Sequence, residues 1–212
     1  MKYQGMPAGM WLLFKGSFRK NLIKVLGFGR EEADLITSAA KRKYREIVAG
    51  LPEFEKGDRF KMNILSCATL SAFILSMPEK PDADRMTAYY RESMMTPVMK
   101  RFCRIMGKQK FTAKDVAGLK KTERQQAADR NPYSWNMTFL PYPDGSGYEA
   151  RFTRCGICTL MKQLGLNDYI RAMCRLDYTM AEAGGVCEFI REYTLASGGP
   201  YCDCGYRKKG AQ

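Results

Sequence analysis

From Ile64 to Met77 the chain runs for fourteen residues without a charge. That is too short for a bilayer span, which takes about 18 to 20 apolar residues. It is also apolar around most of a helical circumference, so it is stable only as a central post with other helices packed on it. The spacing predicts this post over Lys61–Met77. Its neighbours are legible by the same logic. Trp11, Phe14, Phe18, Leu22, Val25 and Leu26 recur at intervals of three and four, which predicts an amphipathic helix from about Pro7 to Leu26. A second helix runs from Glu31 to Leu51, with acidic residues at its start and Gly50 and Pro52 at its end. Asp82 or Asp84 caps a fourth, which Pro97 kinks or divides. Thr112–Arg130 is a charge-rich surface helix or a cover over a site.

At Asn131-Pro132 the period changes from 3.6 to 2. Trp135, Met137 and Phe139 alternate with polar residues, Pro143–Gly147 has the composition of a turn, and Tyr148, Ala150 and Phe152 resume the alternation, which is a hairpin. Gly156–Leu164 turns helical, and Asn167 caps a further helix that Gly184-Gly185 stops near Ala183. Val186–Leu195 and Tyr201–Arg207 read as a second hairpin. The expected fold is α+β in one domain: a helical bundle over residues 1–130, packed on a small mixed or antiparallel sheet of about four strands with two further helices over residues 131–212.

Two features of composition restrict the chemistry. There is no histidine among 212 residues, which removes Ser-His and Cys-His catalysis and histidine-ligated metals. The net charge of +13 lies almost wholly in residues 1–130, spread over several helices without stacking motifs or fingers. Such an excess could attract nucleic acid, membrane lipid or small anions, but its spread fits a solvated surface; the expected partner is a small anionic substrate, without nucleic acid or membrane, and a homodimer is an admissible assembly. Eight cysteines with no convincing export signal suit free thiols in a reducing cytoplasm.

The candidate chemistry gathers in residues 151–206. Cys155 and Cys158 share one face at a helix start beside Arg154, an environment that favours a thiolate. Asp177 occupies the apolar stripe Ile170, Met173, Cys174, Asp177, Ala181, where a carboxylate must pair, with an arginine such as Arg154 or Arg151, or carry a raised pKa fit for acid–base work. Cys202 and Cys204 lie on one strand face with Asp203 on the other. Cys155, Cys158, Cys187, Cys202 and Cys204 could alternatively supply four thiolates to zinc or an iron–sulfur cluster. On the central helix, Ser66, Thr69 and Ser71 are explained by bonds to the preceding turn, whereas the Asn63 amide needs partners if buried and is a candidate substrate ligand.

The segments R-F-T-R-C-G-I-C-T-L-M-K-Q-L-G-L, A-M-C-R-L-D-Y-T-M-A-E and T-L-A-S-G-G-P-Y-C-D-C, with a looser echo in N-I-L-S-C-A-T-L-S-A-F, resemble the L-2-amino-thiazoline-4-carboxylic acid hydrolase family. The family pattern is kept at Cys155, Asp177, Cys202 and Asp203, while Gly156 stands for a proline and Cys204 for an aromatic residue. The resemblance implies opening of a thiazoline ring by carbon–sulfur cleavage without a cofactor. A Cys155 thiolate or an activated water would add to the ring carbon and Asp177 or Asp203 would pass the proton. Cys202 joins the catalytic candidates; Arg154, Asn63 and Cys158 are the substrate-binding ones. The alternatives are a small-molecule sensor on the same pocket, or a thiolate metal protein.

Overall fold

The computed structural model describes residues 1–55 and 57–210. Among them the helical part comprises α1 (Met6–Lys24), α2 (Arg30–Gly50), α3 (Lys61–Ser76), α4 (Ala83–Met94), α5 (Pro97–Gln109) and α6 (Ala113–Ala128). The remainder follows as β1 (Thr138–Pro141), β2 (Gly147–Phe152), α7 (Gly156–Gln163), α8 (Ile170–Gly184), β3 (Cys187–Ile190) and β4 (Cys202–Lys208).

Helix α3 is the central post, with every residue from Ile64 to Ile74 buried. Two of its three expected hydroxyl bonds form, while the buried Ser71 hydroxyl has no hydrogen-bond partner. Ser66 and Thr69 donate to the carbonyls of Met62 and Leu65, one turn back. Phe73 on α3 receives Trp11 and Phe18 of α1 in stacked contacts with centroids 5.7 and 4.9 Å apart, the offset geometry aromatic pairs favour. Pro97 divides the long element after Asp82: it begins α5, with the Thr96 hydroxyl accepting from Met99 N, because a proline at the first turn removes no helical bond. The Asp82 carboxylate accepts from the amides of Asp84 and Arg85 at the start of α4.

The sheet has the order β1-β2-β4-β3, and every pairing is antiparallel. Phe152 stands opposite Cys202 and Tyr148 opposite Tyr206, so one face carries Tyr148, Ala150, Phe152, Cys202, Cys204 and Tyr206 toward the helices. Two boundaries differ from the sequence reading. The first strand starts at Thr138 rather than Trp135, because Asn136 turns its side chain to the loop after β2, where its oxygen accepts from Thr153 N and Arg154 N. The last hairpin is shorter, with β3 ending at Ile190. There the Asp203 carboxylate takes up the amides of Glu192 and Tyr193, and a 3-10 turn at Leu195–Ser197 follows. No helix among the described residues is long and apolar enough to cross a membrane.

Candidate functional site

The segment that delivers Cys155 is clamped from several sides. Asn136 holds the two amides before it. The Arg154 guanidinium donates to the carbonyls of Asp129 and Trp135 at 2.9 and 3.2 Å. The Tyr133 hydroxyl reaches Gln163 at the far end of α7, at 2.7 Å. Gly156 closes the clamp, since any Cβ there would fall on the Tyr133 carbonyl. Gly156→Ala therefore has to push the Tyr133 turn away, with an expected loss of about 1 to 3 kcal/mol. A thermal melt reads that loss, and slower alkylation of Cys155 reads the displaced helix start.

Held this way, Cys155 is the residue preceding the first turn of α7, in extended conformation (φ −135°, ψ 115°) and partly accessible. The Cys158 thiol and the amides of Cys158 and Ile157 face its sulfur. Those amides approach without closing a strict capping hydrogen bond, so they act as the positive end of the helix dipole. Together these groups hold Cys155 below the ordinary thiol range, against burial and the Asp177 charge, which push upward. The other seven cysteines move the opposite way. Burial pushes up Cys67, Cys103, Cys174, Cys187, Cys202 and Cys204, with Cys174 reaching about 12. Cys158 rises because its thiol faces the Cys155 sulfur.

Asp177 is paired, and its partner is Arg191 rather than Arg154 or Arg151. Arg151 instead binds Glu149 at 2.6 Å and covers the Tyr201 ring. One terminal nitrogen of Arg191 lies 2.6 Å from the Asp177 carboxylate and 2.8 Å from the Cys204 sulfur; the other donates to the Cys174 carbonyl at 3.0 Å. The Arg191 side chain is 6% accessible and that of Asp177 is 42%. The surface Asp177 presents faces a cavity rather than open solvent. Burial consequently raises its pKa despite the opposing arginine. Arg191 could have been found by period: Cys187, Phe189 and Arg191 share one strand face.

That cavity, about 450 Å³, lies between the inner sheet face and the helices. Tyr148, Phe152 and Tyr206 form one wall; Phe102, Met106 and Met180 form another. Asn63 is exposed and stands on its edge. Helix α6, expected as a cover, supplies Asp115 and Leu119 to it and is tied to the sheet by Glu123, which accepts from Phe139 N at 2.8 Å.

Cys155 is not among the residues lining that cavity, and the remaining candidates are dispersed. Arg154 is spent on main-chain carbonyls and is absent from the cavity wall. Asp203 anchors the turn after β3, on the sheet face opposite Cys202 and Cys204. Cys202 is buried and its sulfur accepts from Leu195 N at 3.2 Å. The four-thiolate ligand set does not form: among the described residues no three Cys, Asp or Glu side chains converge as a metal-binding group. Cys155 and Cys158 turn to each other, Cys202 to a backbone amide and Cys204 to Arg191.

A protein-family model described as L-2-amino-thiazoline-4-carboxylic acid hydrolase matches residues 61–206, from the central helix to the last strand. No curated protein and no solved structure matches the chain.

Proposed function

The chain belongs to the L-2-amino-thiazoline-4-carboxylic acid hydrolase family, and from that premise we propose that it opens a small cyclic amidine of the thiazoline kind, with Cys155 as nucleophile and Asp177 as proton carrier. The observation that carries this reading is the placement of Cys155, partly accessible at the start of α7 with the Ile157 and Cys158 amides and the Cys158 thiol facing its sulfur. Such surroundings favour the thiolate, the form that attacks carbon.

In the reaction the Cys155 sulfur adds to the ring carbon between sulfur and nitrogen. The ring carbon–sulfur bond breaks, and the departing sulfur takes the proton of Asp177. This leaves an isothiourea-type adduct on Cys155 with the substrate thiol free. Water then adds to the same carbon and gives a proton back to Asp177, and Cys155 leaves as the thiolate. One water is consumed, and the product is an open-chain N-carbamoyl thiol. Arg191 keeps Asp177 oriented, and burial keeps its carboxyl basic enough to hold the proton it donates.

The two pKa directions give the test. The reactive form needs Cys155 without its proton and Asp177 with one. Turnover accordingly falls at low pH, as Cys155 protonates, and at high pH, as protonated Asp177 is depleted, whichever group has the lower pKa. The expected kcat/KM profile on the amino-thiazoline carboxylate is bell-shaped, and Asp177→Asn lowers the rate and removes the alkaline fall while the acid limb stays. An alkaline fall unchanged in Asp177→Asn assigns the proton to another group.

A further inference from the structure

The cavity beside Asp177 is larger and more apolar than the ring chemistry requires. At about 450 Å³ it has room for on the order of fifteen waters and falls in the range of sites for drug-sized ligands. A single five-membered ring with its carboxylate leaves most of it unfilled. Its polar groups are few, and most are already engaged. Asp115 accepts from Phe111 N and the Tyr148 hydroxyl, at 2.9 and 3.0 Å, and Asp177 is bound by Arg191. Two cations line the cavity: Arg59, which gives a 3.4 Å hydrogen bond to the Thr122 hydroxyl, and Lys110. The Lys110 ammonium lies 3.4 Å from the centroid of the Tyr206 ring and 5.4 Å from that of Tyr148, and among the described residues no carboxylate pairs with it.

The chain is bent to put it there. Lys110 follows the last residue of α5, and the next residue, Phe111, has φ 65°, the single positive value outside glycine among the described residues. For a bulky side chain this conformation is disfavoured by roughly 1 to 2 kcal/mol and persists only where its surroundings hold it. Burial also pulls the Lys110 pKa down, the condition a bound anion would reverse. The rim is apolar: Phe102 and Met106 line the cavity while 37% and 43% exposed, continuous along α5 with Val98 and Ile105.

We propose that this cavity binds an organic carboxylate with an extended apolar body, the body against the methionine and phenylalanine walls and the carboxylate on Lys110. On the hydrolase reading, on which this placement in the reaction rests, the body is a substituent that the substrate ring at Asp177 projects into the cavity.

Binding is measured by calorimetry on the Cys155→Ala variant, which cannot form the adduct, so ligand recognition is read apart from turnover. Decanoate and 3-phenylpropionate serve as acyl and aryl probes, with decan-1-ol as the uncharged control. At least one carboxylate is expected to bind tighter than decanol. Lys110→Met is expected to weaken that carboxylate by roughly 10- to 100-fold and to leave decanol unchanged, whereas Lys110→Arg keeps the preference. Whichever carboxylate is preferred identifies the body as acyl or aryl. Equal binding of alcohol and acids overturns the proposal, as does the absence of binding by either acid, or a preference that survives in Lys110→Met. Loss of turnover in the pH experiment with carboxylate binding intact contradicts the hydrolase reading instead.

Discussion

Cys155→Ser is expected to lower turnover of the amino-thiazoline carboxylate by about a thousandfold or more while leaving the melting temperature close to that of the parent protein. The two effects separate because the substitution exchanges only sulfur for oxygen. The serine hydroxyl faces the same amides of Ile157 and Cys158 and the same thiol, so local bonding is kept. Its proton is far harder to remove, and no histidine is present to remove it. Cys158→Ala provides the graded comparison. The Cys158 thiol is the largest of the influences holding Cys155 down, so its loss lowers the thiolate fraction, and with it turnover at neutral pH, while Cys155 itself is kept. Steady-state kinetics on the two variants checks both outcomes. Full activity in Cys155→Ser transfers the attack to water.

The largest stability effect is expected at the Asp177–Arg191 pair, and it is unequal between the partners. Asp177→Ala leaves a guanidinium that is 6% accessible with only the Cys204 sulfur and the Cys174 carbonyl as partners, and arginine cannot shed its charge. The expected cost is about 3 kcal/mol, the lower end for a broken buried pair because part of the site meets the cavity. For a chain of this size that is a fall of roughly 6 to 12 °C in Tm. Arg191→Met is expected to cost less, about 1 to 2 kcal/mol. Asp177 already has a raised pKa, so it can take up a proton, and it reaches the cavity. The methionine puts an apolar group where the guanidinium carbon lies, 4.6 Å from the centroid of the Phe189 ring. Asp177→Leu combined with Arg191→Met recovers much of the loss, as apolar replacement of ion pairs often does. Urea unfolding of the three variants at neutral pH tests the ranking; a larger loss in Arg191→Met than in Asp177→Ala contradicts it.

Much of this arrangement was readable because it rests on periodicity. The uncharged run of α3, the division at Pro97 and the switch of period after Pro132 each follow from burial on one face or on all faces, and each marks a real element. Asp177 was visible as a carboxylate in an apolar stripe, and Cys155 as a thiol at a helix start. The partners were not equally visible. Arg154 is adjacent to Cys155 in sequence, but that position points its side chain at the carbonyls of the preceding segment. Arg191 is fourteen residues from Asp177, and strand alternation alone marks it as inward-facing. Asp203 sits between two cysteines in sequence but is separated from them by the thickness of the sheet. Lys110 carried no pattern at all, because the left-handed turn at Phe111 that aims it is a tertiary constraint on a residue that ordinarily avoids it.

The most direct test of the nucleophile is a rapid acid quench during turnover of the amino-thiazoline carboxylate, followed by intact-protein mass spectrometry and peptide mapping. The predicted result is a transient adduct of the full substrate mass on the peptide containing Cys155, since ring opening loses no atoms. Sustained turnover with Cys155 unmodified at every time point, and with Cys155→Ser equally active, would contradict the thiolate mechanism.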